Sequence, residues 1–394
     1  MEWKEAKNGD DGSISIPDNW LFLYYYEALN TLFRIENALR VFVYIVLKTQ
    51  FKDDWLNLSA ISDDEENTTL GKVAKQRMSQ ARNFGYLGYV IPCPLMYMTS
   101  GELVRLMTSE AYWKYFAAYF LGTKEVMKNK LDEIGVVRNA LAHFRPIKKD
   151  DVELIKQNAR HVLGKIEPCL TDIMRCANVV PTNTQDEWYT QLKTLGTESC
   201  RLSFRQSDDE NWIRLTLDYK CAVIKQQGNR RIRRHRVLQI NTPAILHLLP
   251  ELKGLLAYLS ESVTYPSLIE DGLTLNKSVI FLFNKNILSQ NYKALKEHME
   301  SLLRFISEES ELLKEDNLAR GEIIRAVNVL ARYNKTEDEE VGYWSFTYDE
   351  MFCDVKESDP PEYWGRIGTV DVNYVTSTDD YPWMPVSVSE SVPF

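Results

Sequence analysis

The stretch KEVMKNKLDEIGVVRNALAHFRP, residues 124–146, decides how the chain is read. Leu131, Ile134, Val137 and Leu141 recur at three- and four-residue intervals, which places them on one stripe of an α-helix turned towards a core. Pro146 ends or breaks that helix, because it lacks an N–H and restricts the residue before it. Arg138 borders the stripe, where a permanent charge is costly unless an anion meets it. Glu36 and Glu133 are the candidate counter-charges. Asn139 and His143 lie four apart and share a face. Arg138 and His143 lie five apart, roughly 140° around an ideal helix. Aiming both at one point therefore needs a groove between helices or between two chains, and Ala140 and Ala142 allow close approach there.

Histidine is the side chain that gives and takes protons near neutral pH. Arginine offers a fixed cationic fork to a phosphate, above all one gaining charge in a transition state. Asn139 can hold the imidazole or a phosphate oxygen. Such a set suits RNA cleavage in which the substrate's own 2′-hydroxyl attacks, a group DNA lacks. A structural reading stands beside it: His143 at the negative end of a helix dipole, and Arg138 in an ion pair within a bundle.

Outward from this stretch the chain divides. From about Asp18 to Asn178 the pattern is helical. Asp18 and Asn19 can cap a helix carrying Leu29, Leu32, Leu39, Phe42, Val43 and Val46. The polar run SDDEENTT (62–69) reads as a loop, and residues 71–81 as a basic helix. Thr99-Ser100-Gly101-Glu102 opens another helix, Ser109 the next through Trp113, Phe116 and Phe120, and Asp150 or Asp151 a last one. The expected organisation is an all-α domain over 1–178, a linker over 179–187 and an α+β domain over 188–394. In the last, Trp212 to Tyr219 alternates as a strand, Gln226 to Asn229 reads as a turn, and Arg230 to Ile240 as the returning strand. Helices are expected at 242–261, 289–314 and 317–333, with a strand at Val279–Phe283.

With 47 Lys and Arg against 56 Asp and Glu, the chain carries a net −9. Spread evenly, that would argue against a nucleic-acid partner. It is not even: residues 335–394 hold fourteen acidic residues against Lys335, Lys356 and Arg366, a net −11, so the rest carries +2. Within the rest, NRRIRRHR (229–236) concentrates Arg230, Arg231, Arg233, Arg234 and Arg236. This ribbon reads either as a phosphate-tracking strand pair, or as a strand edge protected by charge or docked on the acidic segment. Arg145 and Lys148, after the helix, are further candidates for RNA phosphates or plain loop charges. Six scattered cysteines without a CxxC pair signal no metal site and a reducing compartment. The opening residues carry no apolar signal core, and Val41–Leu47 is too short to span a bilayer. The expectation is a cytoplasmic protein with no cofactor, no metal and no membrane contact.

The hexapeptide Arg138-Asn139-Ala140-Leu141-Ala142-His143 resembles the signature of the HEPN superfamily, whose ribonucleases carry Arg, four to six residues, then His. The upstream segment LFRIENALR (32–40) is similar to the first helix of HEPN domains in toxin and abortive-infection proteins, where a Glu and an Arg four apart, here Glu36 and Arg40, sit near the motif. Trp55 and the aromatic helix around Trp113 also fit. The likeness covers roughly residues 18–178 and none of the second half. RRIRRH (230–235) matches the bare spacing too, but it lies on a strand within an arginine run and is not taken as a second site. The resemblance implies a metal-independent endoribonuclease with Arg138, Asn139 and His143 at its centre. It implies a homodimer that places two motifs across one cleft, and a toxin or antiviral-defence role. The second half would bind a trigger or regulator. The alternative it leaves open is a non-catalytic module binding RNA, nucleotide or a partner protein.

Overall fold

The structure is a computed structural model, and it describes residues 7–11, 13–15, 23–59, 68–84, 94–180, 185–264, 267–269, 272–316, 321–335, 342–348, 355 and 358–366. The cap expected at Asp18 and Asn19 and most of the 62–69 loop lie outside the described residues.

A two-residue hairpin, β1 (Lys7–Asn8) with β2 (Ile14–Ser15), precedes α1 (Leu23–Phe51), the axis of the N-terminal half. Every residue from Val41 to Lys48 is buried, so this apolar run is a core helix with neighbours on all sides. Around it stand α2 (Leu70–Phe84), α3 (Ser100–Thr108), the short α4 (Trp113–Phe116), α5 (Lys124–Ala142), α6 (Lys149–Leu163) and α7 (Ile166–Arg175). Thr99 and Glu102 close a reciprocal capping box at the start of α3. Thr123 caps α5 by accepting the Val126 N–H. Leu131, Ile134, Val137 and Leu141 of α5 are buried, as their spacing requires. Among the described residues, no helix is long and apolar enough to cross a membrane.

Among the described residues, the second half is built on two large sheets and a small hairpin of two strands. β3 (Asn178–Val179) pairs with β4 (Cys200–Gln206), so sheet structure begins inside the stretch expected as a linker. Then follow α8 (Glu187–Leu192), β5 (Trp212–Lys220), β6 (Val223–Gly228), β7 (Ile232–Ile240), α9 (Thr242–Leu248), α10 (Leu252–Leu255) and β8 (Leu256–Val263). The remainder is β9 (Ser267–Ile269), β10 (Gly272–Thr274), β11 (Asn276–Asn284), α11 (Lys285–Asp316), β12 (Ile324–Asn334), β13 (Tyr343–Tyr348) and β14 (Tyr363–Arg366). A six-stranded sheet has the order β14-β8-β11-β5-β4-β3, antiparallel except for β14 beside β8. A four-stranded antiparallel sheet has the order β13-β12-β7-β6.

Two expected helices are wrong in their extents. Residues 256–261 of the expected 242–261 helix belong to β8, and residues 324–333 of the expected 317–333 helix belong to β12. For β8 the reason lies in the position of the six-stranded sheet, whereas β12 is the second strand of the four-stranded one. Trp212, Tyr258, Ile280 and Leu282 join the helical core around α1, whereas Ile213, Leu215, Leu259 and Phe281 join a second core with α11 and the other sheet. A sheet buried on both faces loses the alternation that marks a strand, and its Leu-rich runs look helical. Of the C-terminal aromatic residues expected in a core, Tyr363 and Trp364 are buried, Trp344, Phe346 and Tyr348 are half-buried, and Phe352 lies outside the described residues.

Candidate functional site

Glu36 is the pivot of the site. It lies on α1 one turn before Arg40, and its carboxylate is nearly covered. Oε2 accepts from Arg40 Nη2 at 3.0 Å, and Oε1 accepts from Arg138 Nε at 3.2 Å. The Ser100 hydroxyl, at the first position of α3, also donates to Oε1. Arg138 thus pairs with Glu36; Glu133 instead accepts from Asn158 at 2.6 Å. The two arginines around Glu36 differ in setting. Arg40 is mostly buried and also donates to Asn37 Oδ1 at 3.3 Å and to the Met98 carbonyl at 3.4 Å, both in structure set by the fold. Arg138 is 38% exposed, donates from Nη1 to Asn139 Oδ1 at 3.4 Å, and among the described residues gives Nη2 no partner. A cation steered by a carboxylate and open on its outer edge is suited to receive an anion.

His143 stands at the end of α5, in the C-cap position, and is exposed. Its N–H reaches the Asn139 carbonyl at 3.2 Å. Among the described residues its ring makes no hydrogen bond. Arg138 reaches Glu36 on α1, while Asn139 and His143 are exposed, and among the described residues no hydrogen bond joins the arginine to the imidazole. The helix ends in a Schellman arrangement: Phe144 N–H donates to the Leu141 carbonyl at 2.9 Å and Arg145 N–H to the Ala140 carbonyl at 2.8 Å. The left-handed residue this needs is Phe144, with φ of 54°, where glycine is the usual occupant. That phenyl ring is 84% exposed, and Val136, on the same side of α5 as Asn139 and His143, is 69% exposed. An apolar strip therefore flanks the imidazole.

Arg145 and Lys148 are exposed in the connection to α6, where the Lys148 N–H is held by the Asp151 carboxylate at 2.7 Å. The basic ribbon lies apart, on β7 and the turn before it. Arg230 and Arg231 are exposed in that turn, Arg233 stacks over Trp344 at 5.1 Å, and Arg234 is exposed. The turn depends on Gly228, whose φ is 138° and where a Cβ would meet the Ile232 carbonyl oxygen at 2.1 Å. His235, which completes the second Arg-x4-His spacing, is 1% exposed and offers no reacting group to a substrate. Among the described residues, no group of three or more His, Cys, Asp or Glu is placed to hold a metal ion.

Ser100, Asn37 and the Met98 carbonyl were not singled out from the sequence. The signal for Ser100 was present but carried another meaning: Thr99 to Glu102 reads as a helix start, and its partner Glu36 is 64 residues away. Compared with family models, curated proteins and solved structures, the chain matches none.

Proposed function

We propose that the helical half is a HEPN-type endoribonuclease that cuts RNA through the substrate's 2′-hydroxyl without a metal ion. The observation that carries this reading is Arg138: Glu36, itself held by Ser100, fixes its inner edge while its outer edge stays open, one and a half turns before an exposed histidine. In the reaction, His143 takes or gives the proton, Arg138 meets the charge building on the scissile phosphate, and Asn139 steadies the Arg138 fork. The 2′-oxygen attacks phosphorus and the 5′-oxygen leaves with a proton, giving 2′,3′-cyclic phosphate and 5′-hydroxyl ends.

Two copies complete the site. The exposed strip of Val136 and Phe144 beside Asn139 and His143 is the face we assign to a homodimer, so that the partner's copy of the motif lines the same cleft. A growth-halting toxin or antiviral effector is the role that fits, with the sheet half receiving the trigger or regulator. The second reading, a module that binds RNA, nucleotide or a partner protein without cutting, is favoured by one observation: no described residue orients the His143 ring. Purified protein incubated with total RNA in EDTA, beside His143→Ala, decides between them. Cleavage with cyclic-phosphate ends in the wild type alone supports the nuclease, and intact RNA in both supports the binding module.

A further inference from the structure

Alternation along β7 divides the arginine ribbon between two faces of the four-stranded sheet. Arg233 and His235 turn inwards with Val237, towards Trp344, Val329 and the second core. Arg234 and Arg236 belong to the other face, and the register shows what stands beside them. Arg236 pairs with Lys225 of β6 on one side and with Asn328 of β12 on the other. Arg234 pairs with Gln227 and Leu330, and Leu330 in turn with Thr347 of β13. Directly opposite residues of antiparallel strands share a face, so these side chains form two adjoining rows, the first across three strands and the second across all four. Arg332, two residues beyond Leu330 and exposed, extends the same face.

The two rows, together with His235 and Val329 from the strand positions between them, line an open concavity of about 480 Å³. Among the described residues, none of those lining it is acidic. Lys225 and Arg236 stand directly opposite each other, an arrangement in which like charges repel. By contrast, the buried Lys277 of β11 is neutralised within its sheet by Glu261 at 2.9 Å. An uncompensated cationic row with amide and hydroxyl side chains at its margins is built for an anion supplied from outside.

We propose that this outer sheet face, through Lys225, Arg234 and Arg236, binds the phosphates of a single-stranded RNA segment. Gln227, Asn328 and Thr347 are placed to meet sugar or base edges. The cations run in rows along and across strands instead of converging on one point, which matches a chain of phosphates better than a lone one. The choice of RNA over other polyanions rests on the ribonuclease reading above; the face itself does not. It is separate from the α5 site and would hold a strand whose cleavage occurs elsewhere.

The test is fluorescence anisotropy of the full-length protein with an unstructured, fluorescein-labelled 2′-O-methyl RNA 12-mer. That probe lacks the attacking hydroxyl, so binding is read whether or not the protein is a nuclease. The double variant Lys225→Gln/Arg236→Gln should weaken binding about tenfold and reduce the salt-dependence slope by roughly 1.4, the share of two phosphate contacts on a single strand. Arg230→Gln/Arg231→Gln, which removes the same charge from the exposed turn, should change affinity less than about twofold. Unchanged melting temperatures confirm that both variants are folded, and Lys225→Gln/Arg234→Gln replaces the first should it fail. Equal weakening in the two doubles would overturn the proposal in favour of net charge alone. Displacement of the oligomer by AMP at equal phosphate concentration would overturn it in favour of a mononucleotide site. Loss of RNA cleavage in His143→Ala with binding retained separates this face from the reaction.

Discussion

Lys48 Nζ lies 2.8 Å from Glu362 Oε1, an ion pair that joins the first helix to β14's approach across 314 residues of chain. The two side chains are 1% and 5% exposed. Around them Tyr44 donates to the Ala257 carbonyl at 2.6 Å, and Trp364 stacks on Tyr258 at 4.4 Å. Residues 358–366 are therefore a strap between the helical core and the six-stranded sheet.

Breaking that pair should be costly, because the buried Lys48 is left with only the more exposed Asp53 carboxylate, at 3.2 Å. Glu362→Leu alone is expected to destabilise the protein by less than the about 3–5 kcal/mol of a buried charge left with no partner. Lys48→Met/Glu362→Leu should recover most of the loss, since a hydrophobic pair of similar volume is often neutral or better. Denaturant titrations of the two variants check this; equal losses in single and double variants would show that the charges do not depend on each other. Removing residues 335–394 takes away β13, β14 and Glu362 together. That truncation should unfold the protein, whereas a chain ending at Arg366 keeps them all.

His235 sets a pH dependence. It is buried on the inner face of the four-stranded sheet with both ring nitrogens unpartnered. Burial, reinforced by neighbouring Arg233, lowers its affinity for a proton below the ordinary value of 6.5. The unfolded chain then binds this proton first, so the stability His235 permits is present above about pH 6.5 and declines as the pH falls below it. Melting temperatures between pH 7.5 and 5.5 should drop in the wild type and drop less in His235→Leu. That variant should also be more stable at pH 7.5 by about 1 kcal/mol or more, because it removes buried polar atoms that lack partners. A parallel fall in both proteins would assign the pH effect to other groups.

Phe144 offers a change in the opposite direction. A side chain in the left-handed conformation costs roughly 1 kcal/mol, and the Schellman ending of α5 needs that conformation. Phe144→Gly should relieve the strain and leave the folded protomer as stable or slightly more so. If the exposed ring belongs to a dimer face, the same change should weaken association. Sedimentation over a range of concentrations reads the second effect and thermal melting the first; a variant that loses stability without altering association would place Phe144 in the protomer's own packing.

How far the sequence could be read follows from where each signal was local. The apolar stripe of α5, the capping box at Thr99 and Glu102, and the β5 and β11 strands depend on neighbours a few residues away, and these were legible. Extended structure at Leu256–Val263 was not, because burial on both faces erased the alternation. At the candidate site, Arg138 and Glu36 could be paired as an option from charge alone. Ser100 could not, since its role depends on how α3 docks against α1. The Lys48–Glu362 pair gave no pattern at all: it depends on a strand returning from the far end of the chain.

The two arginines that share Glu36 should respond in opposite ways to removal. Arg40 is mostly buried and held by Glu36, Asn37 and the Met98 carbonyl. Arg40→Ala should therefore cost about 1–3 kcal/mol of stability, the range for hydrogen bonds to charged groups. Arg138 is more exposed, and Glu36 keeps Arg40 and Ser100 without it, so Arg138→Ala should cost under about 1 kcal/mol. If Arg138 meets the scissile phosphate, that variant should nonetheless lose RNA cleavage by about two orders of magnitude or more, as expected for a group acting on transition-state charge. Glu36→Gln tests the positioning role: it should lower kcat with little change in KM. A variant at Arg138 that melts early and cuts normally would make the arginine a structural element of the bundle and return the helical half to the binding-module reading.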